Sequence, residues 1–229
     1  MKKGKLSLIE GVCDYVLDNS LRESGVLKRL RLETEKDAAS IMQIPPEQGQ
    51  FMALLVQLIG AKRSIEIGVY TGYSTLCVSQ AMPSDSYTIA CDTSETWTNI
   101  AKKYWQEAGV DHKIDLRLSP AAETLRSLLD DGQSGSYDFV FIDADKESYN
   151  EYYELSLELL KKGGLMMIDN VLLFGSVVDV NLPEASLRGV FSENSVESVR
   201  RLNKKIKNDA RVDISMLQMA DGISLARKR

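Results

Sequence analysis

The stretch IEIGVYTGYSTL, residues 65–76, carries a strand, a tight turn and the start of a helix. Ile65 and Ile67 supply the apolar strand, Gly68 and Gly72 the turn, and the helix begins near Tyr73. The same order of elements repeats along the chain. RSIEIG (63–68) leads into a helix to about Met82, SYTIAC (86–91) into a helix through Ala108, and KIDLRL (113–118) into a helix to Leu129. YDFVFI (137–142) is followed by a helix over 147–160, and GLMMI (164–168) by a polar loop and a helix over roughly 193–207. Strands alternating with helices predict a parallel sheet covered on both faces. Near-continuous apolar strands such as FVFI and LMMI agree, because such strands are buried on both sides. RVDISML (211–217) and GISLAR (222–227) close the chain as a hairpin-like pair, which places one antiparallel strand in the edge region.

Upstream of residue 62 the period is helical. Ile9, Val12, Cys13, Val16 and Leu17 recur at helical spacing, and so do Met52, Leu55, Val56 and Ile59. Pro45 and Pro46 break the path between them, and Pro46 suits the first position of the later helix. The expected organisation is one domain over residues 1–229, with a helical segment (1–60) ahead of an α/β core (61–229). A length of 229 residues and 44% hydrophobic content suffice for a full core.

Charge and composition remove several function classes. A net charge of −5 lacks the dominant basic field that phosphate neutralisation needs, so no nucleic-acid partner is expected. The short basic runs Lys2–Lys5, Arg200–Lys207 and Arg227–Arg229 read as solvated surface. Cys13, Cys77 and Cys91 are far apart and form no C-x-x-C pair, and His112 is the one histidine. A zinc site or a disulfide framework does not fit, whereas reduced, buried thiols in a cytoplasmic protein do. The N-terminus lacks the apolar core of a signal peptide, and no apolar run approaches the ~20 residues of a membrane span.

The turn spacing is E-x-G-x-x-x-G, not G-x-G-x-x-G, which argues against a pyrophosphate-gripping loop. Glu66 would repel phosphates but can attract a cationic ligand or hold a hydroxyl. The next strand ends in Asp92, where a carboxylate can accept hydrogen bonds from both ribose hydroxyls of a nucleoside. A loop or N-cap carboxylate is the ordinary alternative, with Thr93 and Ser94 competing for the cap. An adenosine without a 5′ phosphate suits this combination, and S-adenosylmethionine joins such a nucleoside to a sulfonium cation and an amino acid.

FVFIDADK (139–146) and GGLMMIDN (163–170) are apolar strands that end in acid. Ligands of open α/β sheets sit beyond the carboxyl ends of the strands. If these two strands are neighbours, Asp143, Asp169 and Asn170 converge. Two carboxylates and an amide oxygen suit a hard divalent cation, and without one the carboxylates would repel. Asp145 reads better as an N-cap of the following helix. Lys146 would be a candidate general base beside such a cation; a surface lysine at a helix start, opposed by the helix dipole, is the alternative.

With these residues in place the chain resembles the cation-dependent class I O-methyltransferases, the group of caffeoyl-CoA and catechol O-methyltransferases and their bacterial relatives. The resemblance runs from about residue 35 through EQGQF (47–51), EIGVYTGYSTL (66–76), ACD (90–92), AGVDHKIDLRLSPA (108–121), YDFVFIDADK (137–146), GGLMMIDNVL (163–172), DARVDISML (209–217) and DGISLARKR (221–229). It implies a Rossmann-like seven-stranded, mostly parallel sheet with helices on both faces and extra N-terminal helices. It implies metal ligands at Asp143, Asp169 and Asn170, with Mg²⁺ first and Ca²⁺ or Mn²⁺ as alternatives. S-adenosylmethionine would lie against Met42, Glu66, Gly68, Ser74, Asp92, Ala121 and Asp143, with Lys146 and Asp143 at the reacting centre. The implied activity is methyl transfer to one hydroxyl of a small catechol-like acceptor by a homodimer, with no nucleic acid and no membrane involved. The chain departs from the family at Leu173 and Phe174, where a tryptophan and then a small or polar residue are common. It also departs at Ile44, where plant members carry a threonine, and in 187–199, which lacks their tyrosines. The rival readings are a non-catalytic cofactor-binding or dimerisation module on the same fold, and a nicotinamide-dependent oxidoreductase.

Overall fold

The computed structural model describes residues 11–178 and 191–229. The basic start Lys2–Lys5 and the first part of 187–199 lie outside them. The helices are α1 (Val12–Ser20), α2 (Gly25–Thr34), α3 (Pro46–Leu58), α4 (Tyr73–Ala81), α5 (Glu95–Glu107), α6 (Ala121–Asp130), α7 (Tyr149–Leu159) and α8 (Glu193–Asn208). The strands are β1 (Arg63–Ile67), β2 (Tyr87–Asp92), β3 (Ile114–Leu118), β4 (Tyr137–Ile142), β5 (Leu160–Ile168), β6 (Val212–Leu217) and β7 (Ile223–Lys228).

They form one seven-stranded sheet in the order β3-β2-β1-β4-β5-β7-β6. Strands β1 to β5 pair in parallel. Strand β7 runs antiparallel to both β5 and β6, so the antiparallel member lies beside the edge and β6 forms the edge itself. Chain order reverses between β1 and β4, and that switch point opens a crevice at the carboxyl ends of the strands.

Strand β4 is buried along its whole length, which is why its sequence is apolar without alternation. Val140 and Ile142 enter one core with Tyr149, Tyr153, Leu157 and the α8 stripe Val196, Val199, Leu202 and Ile206. Phe139 and Phe141 enter the other, with Met52 and Val56 of α3 and Leu76 of α4. A register shift against β5 between Tyr137 and Phe139 lets these two face opposite cores although they are two positions apart.

Several boundaries differ from the sequence pattern. The expected helix over 147–160 is a 3₁₀ turn, Lys146–Ser148, running into α7, which stops at Leu159. Strand β5 starts at Leu160, not near 164, because Leu160 already pairs with Tyr137 and Lys161 ion-pairs with Asp138. Pro46 does open α3, and the exposed basic residues of α8 are solvated. Cys77 and Cys91 are buried free thiols, whereas Cys13 is exposed, contrary to the expectation for all three.

The first helices separate in character. Helix α2 buries Leu27 and Leu30 in the second core, and it and the preceding Glu23 add polar contacts. Thr34 Oγ1 donates to Thr71 Oγ1 at 2.8 Å, Tyr73 Oη to Glu23 at 2.8 Å, and Tyr104 Oη to Glu33 at 2.6 Å. It therefore leans on the turn between β1 and α4. Helix α1 forms where its periodicity places a helix but buries none of its residues. Among the described residues no helix is long and apolar enough to cross a membrane.

Candidate active site

The ladder continues one step beyond the strands. Gly68 N donates to Cys91 O at 2.9 Å, Asp143 N to Ile67 O at 2.8 Å, and Asp169 N to Ile142 O at 3.0 Å. This sets Asp92, Gly68, Asp143 and Asp169 in a row across the carboxyl ends of β2, β1, β4 and β5.

Asp92 ends β2 and gathers backbone donors. Its Oδ2 accepts from Val69 N and Tyr70 N at 2.9 Å each, and its Oδ1 from Ser94 N at 2.7 Å. The cap of α5 is Ser94, whose hydroxyl accepts from Trp97 N, so Asp92 is not consumed as a helix cap. Gly68 (φ 92) and Gly72 (φ 82) both have left-handed backbones. On the side where a Cβ would stand, both pack against protein. A Cβ on Gly68 would overlap the Asp143 carbonyl, and one on Gly72 would collide with Ala101 and Trp105 of α5. These glycines thus bring the turn against β4 and α5.

Glu66 is buried in β1 and accepts a short hydrogen bond from Ser74 Oγ at the start of α4. Burial pushes its carboxyl up to about 8, against the downward pull of the Ser74 hydroxyl; the charges of Asp143 and Asp92 add to the rise. The folded state therefore binds this proton more tightly than the unfolded chain. The stabilisation is fully present below the ordinary glutamate range and is lost as pH rises towards 8. Urea denaturation of metal- and cofactor-free protein should show stability falling between pH 5 and 8. Glu66→Gln should flatten that fall by up to roughly 1 kcal/mol per pH unit. An unchanged slope would mean that the carboxyl is ionised in the fold.

Lys146 follows β4 on the 3₁₀ turn, with its side chain 10% exposed. Its Nζ donates to Asp143 Oδ1 at 2.9 Å and to Tyr149 Oη at 2.6 Å, and lies 4.7 Å from the centre of the Tyr149 ring. Asp145 is the cap of this turn, accepting from Ser148 N at 3.2 Å, and also accepts from Tyr152 Oη at 2.6 Å.

Asp169 is 2% exposed. Burial, then the charge of Asp143, pushes its carboxyl up to about 7. Its Oδ2 accepts from Gln48 Nε2 at 2.6 Å and its Oδ1 from Asn170 N at 2.6 Å. Asn170 adopts φ 53, a left-handed conformation that asparagine tolerates, and its Nδ2 donates to Asp221 at 3.2 Å. Among the described residues nothing donates to the amide oxygen of Asn170, which leaves it available as an acceptor.

Hydrogen bonds join Glu66 to Ser74, Asp143 to Lys146 and Asp169 to Asn170, and the backbone ladder sets these pairs beside Gly68 and Asp92 along one row of strand ends. Met42 and Ala121 enter by position alone. Met42 is 43% exposed on the turn Ser40–Met42, and Ala121 opens α6 beyond the carboxyl end of β3. Among the described residues no three histidine, cysteine, aspartate or glutamate side chains group to hold a metal, so a cation here would need the amide of Asn170.

The O-methyltransferase family model matches residues 17–229. The chain belongs to the O-methyltransferase family. It is 44% identical to a probable caffeoyl-CoA O-methyltransferase of Dictyostelium discoideum, over 98% of this chain and 94% of that protein. It is 41% identical to the caffeoyl-CoA O-methyltransferase of Eucalyptus gunnii, over 98% and 91%. Among solved structures, an O-methyltransferase from Bacillus cereus in complex with S-adenosylhomocysteine superposes with a TM-score of 0.80 at 27% identity, covering 94% of this chain and 96% of that one. Membership sets aside the nicotinamide-dependent alternative.

The sequence pattern does not single out three residues that this methyltransferase places in the site: Gln48, Tyr149 and Asp221. Gln48 is fully buried, and its Oε1 has no hydrogen-bond partner among the described residues. Tyr149 is fully buried beneath Lys146, and burial together with the charges of Asp143 and Asp169 raises its phenol well above the ordinary range. Asp221 opens the DGISLARKR block; its signal is that an antiparallel β7 must begin where β5 ends.

Proposed function

We propose that this methyltransferase moves a methyl group from S-adenosylmethionine to one hydroxyl of a vicinal diol on a small aromatic acceptor, at a divalent cation held by Asp143, Asp169 and Asn170. The observation that carries the reading is the buried Asp169 carboxylate beside Asp143, with the Asn170 NH₂ group spent on Asp221 and no donor to its oxygen among the described residues. The donor set fits a hard cation: two carboxylates whose repulsion it would relieve and one neutral oxygen, with Mg²⁺ the first candidate and Ca²⁺ or Mn²⁺ the others. The Bacillus cereus neighbour supports the cofactor, and the caffeoyl esters named for the curated relatives carry a vicinal diol.

When bound, the cation lowers the cost of ionising the acceptor hydroxyl, and the sulfonium cofactor supplies an electrophilic methyl group. The chain's own residues do the remaining work. Lys146 takes the hydroxyl proton at Nζ, held in place by Asp143 Oδ1 and Tyr149 Oη. Asp92, whose Oδ2 is taken by Val69 N and Tyr70 N, would offer its remaining Oδ1 capacity to a ribose hydroxyl, and Glu66 and Ser74 lie bonded together beside the turn. Phe174 and Phe191, stacked with centroids 6.1 Å apart, form an aromatic wall on the acceptor side. The reading extends to a homodimer in the cytoplasm without a nucleic-acid partner, which the net charge of −5 supports.

A panel of catechols with labelled cofactor tests it. Protein dialysed against chelator and shown to be metal-free is expected to lose at least roughly 100-fold in methyl transfer, restored by Mg²⁺. Undiminished transfer by metal-free protein would sink the cation-dependent reading.

A further inference from the structure

The turn joining β6 to β7 carries Asp221, 8% exposed and far from the other strand-end carboxylates in sequence. It is tied against the end of β5 by backbone: Val171 N donates to Gly222 O at 3.1 Å, and Leu172 N to Asp221 O at 3.0 Å. Gly222 (φ 89) permits this, since a Cβ there would run into the Leu172 side chain. Both side-chain oxygens of Asp221 are engaged. One accepts from Asn170 Nδ2 at 3.2 Å, the other from Phe174 N in a short hydrogen bond. Leu173 (φ 45) and Phe174 (φ 48) are left-handed, a conformation that costs bulky residues energy and needs an outside tie.

An asparagine offers either an oxygen or an NH₂ group on each side, and only its oxygen can face a cation. An ionised aspartate accepts hydrogen bonds and donates none, so whatever faces Asp221 must be the NH₂ end. We propose that Asp221 is a positioning residue for the cation site: it selects the rotamer in which Asn170 turns its oxygen towards Asp143 and Asp169, and through Phe174 N it fixes the aromatic acceptor wall to the same carboxylate. The inference rests on the cation reading proposed above. Partners outside the ligands of a metal site commonly change metal affinity 10- to 100-fold when lost.

The test is a double-mutant cycle read by Mn²⁺ affinity of the cofactor-free protein, from the electron paramagnetic resonance signal of unbound Mn²⁺. In Asp221→Asn, the new amide keeps Phe174 N on its oxygen and presents NH₂ to Asn170. Asn170 must then flip and offer NH₂ to the cation. Mn²⁺ affinity is expected to fall roughly 10- to 100-fold. In Asn170→Asp/Asp221→Asn both hydrogen bonds survive, the one between 170 and 221 with donor and acceptor exchanged and Phe174 N still donating to 221, and most of the affinity should return. Asn170→Asp alone opposes two carboxylates and completes the cycle. A cycle in which the two changes simply multiply, or wild-type affinity in Asp221→Asn, overturns the assignment while the cation reading stands. Should Asp221→Asn fail to fold, a double variant that folds but binds as weakly as Asn170→Asp alone also overturns it. Wild type that takes up no Mn²⁺, or Asp169→Asn that binds it undiminished, overturns the cation reading and this assignment with it.

Discussion

Lys146→Ala is expected to lower kcat for methyl transfer roughly 100- to 10,000-fold, the span that a positioned general base supplies. Cofactor affinity should change much less than kcat, because the amine bonds to neither the turn nor Asp92 and meets the cofactor residues only through Asp143. Lys146 stands almost out of solvent on a short turn directly after β4, and its hydrogen bonds aim it at the row of strand ends. Two further measurements separate proton transfer from simple charge. Lys146→Arg retains the cation but cannot accept a proton, so it should stay as slow as the alanine variant. The alanine variant should regain rate on acceptors whose hydroxyls ionise more readily. A near-wild-type arginine variant would show that positive charge alone is needed at this position, and the base would have to be sought elsewhere.

Gly68→Ala is expected to destabilise the fold by about 2–5 kcal/mol, a large fraction of the roughly 5–15 kcal/mol that holds a typical domain folded. Two costs combine. The left-handed backbone at φ 92 disfavours any Cβ, worth roughly 1–2 kcal/mol. The added methyl group would also overlap the Asp143 carbonyl, which the strand ladder holds through Asp143 N and Ile67 O, and overpacking of this kind costs about 1–3 kcal/mol. Gly60→Ala is the matched control: its φ is 61, but nothing lies within 4 Å of the new Cβ, so only the backbone cost applies. Denaturation curves that place the two variants together would mean that the loop yields at Gly68 without disturbing β4. If the difference is as large as expected, the strand end that carries Asp143 is also displaced, and transfer activity should fall in whatever protein remains folded.

The legible and illegible parts of this protein divide by the range of the interactions. Strands β1, β2 and β4 can be placed to within a residue because sheet burial on both faces writes a run such as FVFI directly into the chain, and the edge strand β3 because IDLRL alternates apolar and charged residues. The strand-end acids were legible for the same reason, since a carboxylate after a buried strand has no packing excuse. The start of β5 was not: Lys161, Lys162, Gly163 and Gly164 show no period, and the strand there exists because Tyr137 pairs with Leu160. Gln48 reaches Asp169 across 121 positions, and Asp221 reaches Asn170 across 51. No local pattern encodes such contacts; they appear only when α3 and β7 close on the sheet. The glycines are legible as turn formers, but their neighbours Asp143, Ala101 and Trp105 are not, because those contacts form only in the folded chain.

The placement of β7 between β5 and β6 has a consequence for biosynthesis. As the chain leaves the ribosome, β1 to β5 can assemble into a five-stranded sheet, but the outer side of β5 then exposes unpaired peptide groups beside Leu165, Met166, Met167 and Ile168. That sticky margin persists until residues 223–228 emerge and slot in backwards. The nascent molecule therefore passes through an interval in which the strand destined to carry Asp169 is open to wrong partners, and the same late event seals the margin and delivers Asp221.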